Sequence, residues 1–109
     1  MPKAYVKRIG FLRKRSDLSR EQFVAHWLNA HAELAKRFPR LRRYAINLID
    51  REKFPRPGYD GFSELWFDSV EDLEAALASP EGATVLADLS NFVAEIDAIV
   101  AEEHRIVWP

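Results

Sequence analysis

The chain contains no cysteine. Disulfides, thiolate nucleophiles and cysteine-ligated metals are therefore excluded. Glycine is scarce as well: there are four in 109 residues, and none cluster. A phosphate-cradling loop needs several close together so that backbone N–H groups can approach the phosphate, so no nucleotide cofactor is expected. A GxSxG nucleophile elbow is also missing. No apolar run approaches the ~18 residues that a membrane-spanning helix needs, and the first residues carry no apolar h-region. Neither sign of charge is in excess, with 16 Lys and Arg against 17 Asp and Glu. A net charge of -1 gives no global attraction to nucleic acid or to an anionic membrane. These absences lead us to expect a cytoplasmic protein with no nucleic-acid or membrane partner, no cofactor and no metal.

What is present is ordinary globular material, 48% hydrophobic, 12% aromatic and 30% charged. That composition and length suit one domain over residues 1–109 with one core. Charge is unevenly placed along the chain. Lys7, Arg8, Arg13, Lys14 and Arg15 lie near the start, Lys36, Arg37, Arg40, Arg42 and Arg43 follow, and acids dominate from Asp60 onward. This asymmetry can bind an anionic ligand, or it can be a solvated surface that complements helix ends.

The stretch from Ser19 to Phe38 predicts a helix over about 20–38. Ser19 and Gln22 have capping-box spacing. Phe23, Trp27, Ala30, Leu34 and Phe38 recur as one apolar stripe, and Pro39 closes the helix. At about 100° per residue, His31 lies within about 40° of the stripe's centre and His26 about 100° away on its flank. The two imidazoles would then stand about 140° apart, so they could not chelate one ion.

Residues 4–13, 41–51 and 61–67 alternate as strands, and 98–108 reads as a fourth, with His104 near its middle. Gly10 marks a bulge or a close backbone approach. Residues 52–60 hold two prolines and a glycine and form a loop. Ser69 or Asp68 caps a second helix that runs to Ala78 and restarts at Ser79-Pro80 towards Leu89. The order is β-α-β-β-α-β, the split βαβ arrangement, with two helices on one face of a four-stranded antiparallel sheet. Because the strands are apolar on both faces, a monomer would expose a large patch. A homodimer packed through the open sheet faces is expected.

The Phe11-Leu12-Arg13-Lys14 strand exit, the Ser19-x-x-Gln22-Phe23 helix start, Trp27-x-x-x-His31, Leu41-Arg42-Arg43-Tyr44, Asp60-Gly61-Phe62-Ser63-Glu64-Leu65-Trp66-Phe67 and Ser79-Pro80-Glu81-Gly82 together resemble the EthD-like family. The resemblance covers nearly the whole chain. It implies a ferredoxin-like α+β fold and a dimeric α+β barrel. It also places the chain near muconolactone isomerases, polyketide cyclases and dehydratases, and cofactor-free monooxygenases, and its helix histidine corresponds to His31.

His31 is the leading catalytic candidate, because an imidazole exchanges protons near neutral pH. Its other possible role is that of a core histidine bonded to a carbonyl or carboxylate. Glu64, between Phe62 and Trp66, would be a costly buried carboxylate unless paired. It could assist His31 or form a salt bridge to Arg43, Lys7 or Arg8. Tyr44 could donate to a developing enolate oxygen, or simply sit at the sheet edge. His26 could stand at a pocket rim, and Trp27, Phe62 and Trp66 could line a substrate site or only pack. The resulting expectation is a cofactor-free enzyme that moves a proton on a small, oxygenated, hydrophobic metabolite by isomerisation, dehydration or cyclisation. The alternatives are a non-catalytic ligand-binding or accessory protein of ether or aromatic degradation, and a cofactor-free oxidoreductase such as a monooxygenase.

Overall fold

A computed structural model describes residues 5–109. Four strands, β1 (Val6–Lys14), β2 (Arg43–Leu48), β3 (Gly61–Phe67) and β4 (Val93–Glu102), form one sheet in the order β2-β3-β1-β4. Every neighbouring pair is antiparallel. The helices are α1 (Arg20–His26), continued by a π-helical turn (Trp27–His31) and α2 (Ala32–Ala35), then α3 (Val70–Ala78) and α4 (Pro80–Asp88). This is the expected split βαβ, ferredoxin-like α+β arrangement. Among the described residues no helix is long and apolar enough to cross a membrane.

Strand alternation sorts the sheet into two faces. Tyr44, Leu65, Arg8 and Val100 form one row across it, and Ile46, Ser63, Gly10 and Ala98 form the next. These rows face the helices. The first helical run ends at Ala35 and not at the expected Phe38, and Ala35 together with Phe38, three residues beyond it, closes one core cluster with Leu65, Phe67, Leu73, Ala76 and Val85. Phe23, Trp27, Leu12, Phe92 and Val93 close a second. Gly61 makes the second possible: a Cβ there would stand 2.4 Å from the Asn47 carbonyl and 2.6 Å from the Trp27 ring. The other face carries Lys7, Ile9, Phe11, Phe62, Glu64, Trp66, Ala45, Asn47, Asp97 and Ile99.

Several boundaries differ from expectation. The fourth strand begins at Val93 rather than at 98 and ends at Glu102. It is an edge strand whose Glu95 and Asp97 point away from the helices, so its acids mask an alternating pattern. His104 lies beyond it, exposed, beside Glu102. β2 stops at Leu48, because Asp50 turns the chain by accepting from the backbone N–H groups of Glu52 and Lys53. Ala4, the first residue of the expected first strand, lies outside the described residues. Gly10 is a close-approach site and not a bulge, while the register irregularity falls at Arg13/Lys14.

The first helix departs most. Its capping box forms, with Ser19 Oγ accepting from the Gln22 N–H and Gln22 Oε1 from the Ser19 N–H. The expected stripe then breaks: Ala30 is exposed, and His31 and Ala35 are buried in place of Ala30 and Leu34. Phe23, Trp27, His31 and Ala35 are spaced by four, which in an α-helix drifts about 40° per step. The π turn, closed by the Ala32 N–H donating to the Trp27 carbonyl, absorbs that drift and keeps the four in line.

Candidate functional site

The π turn determines which side chains meet. Bonding from i to i+5 brings residues five apart to the same side of the helix. His26 and His31 therefore converge, contrary to the 140° separation that an ideal α-helix predicts. They converge on Asp88, the last residue of α4, which the sequence reading did not select. Asp88 Oδ2 lies 2.7 Å from His31 Nδ1 and 2.9 Å from His26 Nε2. Asn91 Nδ2 donates to Asp88 Oδ1 at 2.9 Å. Phe92, fully buried, lies under both imidazoles with ring centroids 4.8 Å away.

The carboxylate is an acceptor only, so the network assigns the protons. His31 donates through Nδ1–H and His26 through Nε2–H. His31 Nε2 is then the bare, basic nitrogen, and it makes no hydrogen bond among the described residues. Burial lowers the His31 pKa from 6.5 and outweighs the opposing effect of Asp88, so the ring is neutral at pH 7. For Asp88, burial alone would raise the pKa. The bonds from Asn91, His26 and His31 outweigh it and hold the carboxyl below its usual 3.8.

His31 forms part of the wall of a void between helices and sheet. Its other polar walls are Arg8, Tyr44 and Ser63, and its apolar walls include Leu12, Trp27, Phe38 and Leu65. The void spans about 390 Å³ with the open solvent at its mouth included, but only about 20 Å³ is open to the centre of a water molecule. That is room for one or two waters. The Tyr44 hydroxyl is buried and has no hydrogen-bond partner, and burial pushes its pKa up to about 12. The Arg8 guanidinium has no hydrogen-bond or ion-pair partner among the described residues, and burial lowers its pKa from 12.5.

The expected site residues thus divide between the two faces. His31, Tyr44 and Trp27 share the void, and His26 braces its back through Asp88. Glu64, Phe62 and Trp66 lie on the opposite sheet face. Glu64 accepts from Lys7 Nζ at 3.0 Å and from Asn47 Nδ2 at 2.9 Å. The pairing of Glu64 with His31 is therefore absent, because an odd step along β3 turns a side chain through the sheet. Phe62 packs on Phe11 at 5.5 Å, and the Trp66 indole N–H donates to Glu103. Asp88 and Arg8 are the residues that sequence reasoning missed. The π turn that selects Asp88 has no sequence signature beyond apolar spacing by four. Arg8 was legible only as one of a run of bases. Among the described residues, no group of three or more His, Cys, Asp or Glu side chains is arranged to hold a metal ion.

A four-stranded antiparallel sheet with its helices on one face places the chain among the small ferredoxin-like α+β proteins. Within that class the chain belongs to the EthD family: the EthD domain model matches residues 15–96. A curated relative, an uncharacterised 11.0 kDa protein from the thcB-thcC intergenic region of Rhodococcus erythropolis, is 31% identical over 87 residues, covering 80% of this chain and 84% of its own. An EthD family protein of Bacillus halodurans superposes with a TM-score of 0.80 at 25% identity, over 92% of this chain and 99% of that one. A dimeric ferredoxin-like protein of unknown function from Thermobifida fusca gives 0.74 at 18% identity, over 92% of each chain. A hydroxynitrile lyase from Passiflora edulis gives 0.75 at 19% identity, over 99% and 100% of the two chains.

Proposed function

We propose that the protein is a cofactor-free enzyme that moves a proton next to a carbonyl of a small, oxygenated, hydrophobic metabolite. The outcome would be isomerisation, dehydration or cyclisation. The observation that supports this reading is the 2.7 Å contact between Asp88 and His31 Nδ1 in the wall of a mostly apolar void. Asp88 fixes the tautomer, so Nε2 takes the proton, and the imidazolium so formed gains the carboxylate as a counter-charge. Tyr44 donates to the oxygen on which charge develops. His26 and Asn91 hold Asp88 ionised and in place. The fold accommodates lyase chemistry in at least one neighbour, the hydroxynitrile lyase.

The test is deuterium exchange. Small ketones, enones and keto acids are incubated with the protein in D₂O, and loss of the α-proton signal is followed by NMR. Exchange by the wild type that falls about 10²–10⁴-fold in His31→Gln supports the reading. Equal exchange by both proteins contradicts it.

The tightness of the void favours a second reading, a non-catalytic binding or accessory protein of oxidative catabolism. A ligand larger than a water or two must displace Leu86 or Leu89 at its wall. Ligand binding without exchange would identify that role.

The same reading includes a homodimer through the open sheet face, in a cytoplasmic setting. Ile9, Phe11, Phe62 and Ile99 lie there, Ile99 is 51% exposed, and soluble monomers seldom leave such a patch uncovered. The Thermobifida fusca neighbour is described as dimeric.

A further inference from the structure

Arg8 stands apart from the other cations of β1. Lys7 bonds Glu64, Arg13 pairs with Glu95, and Lys14 Nζ reaches the Arg15 carbonyl. Arg8 points the other way, into the void beneath the helices, and has no counter-ion among the described residues. Its cross-strand neighbours are Leu65 and Val100, neither of them acidic. The half-buried guanidinium is left without a counter-charge in the wall that also carries His31.

Other donors gather beside it. A Cβ on Gly10 would lie 3.6 Å from Arg8 Nη1, 3.2 Å from Ser63 Oγ and 3.3 Å from Ile96 Cδ1. The Ser63 hydroxyl, Ile96 and the Arg8 guanidinium thus close together over the bare Gly10 backbone, in the wall of the void. The Tyr44 hydroxyl is buried without a hydrogen-bond partner, and Ser63 lines the same void. The wall of the void therefore offers a cation and two hydroxyls, but no acidic side chain. A carboxylate, with two oxygens and about four lone-pair sites, matches a planar guanidinium fork and the hydroxyls together.

We propose that Arg8 recognises a carboxylate on the substrate, so that the site takes a small hydrophobic acid and not a neutral metabolite. This rests on the reading of the void as a substrate site. Arg8 anchors the carboxylate at the wall of the void, whose side chains move aside to admit the ligand, and the apolar body lies against Trp27, Leu65 and Phe38. The carbon to be deprotonated is presented to His31.

Equilibrium titration with unreactive probes tests this. Isobutyrate and benzoate are compared with isobutyramide and benzamide by calorimetry. The wild type should bind each carboxylate at least tenfold more tightly than its amide. Arg8→Gln should remove that preference, and Arg8→Lys should restore part of it. Equal binding of acid and amide by the wild type overturns the proposal without reference to any variant. So does an undiminished preference in Arg8→Gln, or an absence of carboxylate binding. The probes do not react, so this test is separate from the exchange experiment. Exchange without Arg8-dependent binding overturns carboxylate recognition alone, and Arg8-dependent binding without exchange overturns proton transfer alone.

Discussion

Asp88 is the residue on which the site turns. It accepts from two imidazoles and an amide, and each donor favours its ionised form. Asp88→Asn keeps the shape but replaces one acceptor oxygen with an amide, so the His31 tautomer is no longer fixed. Turnover should fall about 10²–10⁴-fold, the range for a positioned acid–base group. His26→Gln, which removes one of three donors and leaves the Nδ1 contact, should cost much less. The same groups make stability depend on pH, with a defined sign. His31 has a folded pKa below its usual 6.5, so the unfolded chain takes up a proton first and stability falls as pH drops below 6.5. Asp88 has a folded pKa below 3.8, so its contribution is present above 3.8 and is lost as pH falls through the folded value. Urea denaturation from pH 8 to 3 should show both stages, and His31→Gln should remove the upper one. Phe92→Ala withdraws the fully buried ring beneath both imidazoles and should cost ~3–5 kcal/mol in the same assay.

At the scale of elements, the π turn is what brings the site together. Deleting Ala30 would restore an α-helical path through 27–31 and rotate His26 away from His31. Exchange activity should be lost even though both histidines remain. Gly61→Ala tests the second core cluster: a Cβ 2.6 Å from the Trp27 ring forces the helix off the sheet. A drop of ~1–3 kcal/mol is expected, typical of overpacking. These elements also mark how far the sequence could be read. The capping box, the Ser79-Pro80 restart and the span 61–67 depend on local chemistry and are legible. So is the placing of His31 on the core side of the first helix. The convergence of His26 with His31 was not legible, because an ideal helical wheel allots 100° to every residue and a π turn does not. Glu64 was misplaced relative to His31 because alternation groups side chains by face, but does not say which face of a two-sided apolar strand the helices will cover.

At the scale of the whole molecule, the helices cover one sheet face and leave the other with Phe11, Phe62 and Ile99 beside the Lys7–Glu64 pair. A two-fold partner would bury these residues and put Glu64, Phe62 and Trp66 at an interface. Light scattering after size-exclusion chromatography should return twice the chain mass for the wild type. Ile99→Asp, which puts a charge on that face without touching the His31 void, should shift it towards the monomer. On the proposed reading the two faces carry separate tasks, assembly on one and chemistry on the other. Glu64→Gln should accordingly weaken the dimer more than it slows exchange, read by running both assays on one preparation.

The central claim is that Asp88 holds His31 neutral, with its proton on Nδ1 and Nε2 bare. Long-range ¹H–¹⁵N NMR of the histidine rings, titrated from pH 8 to 5, reports this directly. The account predicts the Nδ1–H tautomer for His31 at pH 7, with its titration midpoint below 6.5, and loss of that tautomer preference in Asp88→Asn. An Nε2–H tautomer, or a protonated ring at pH 7, would contradict it.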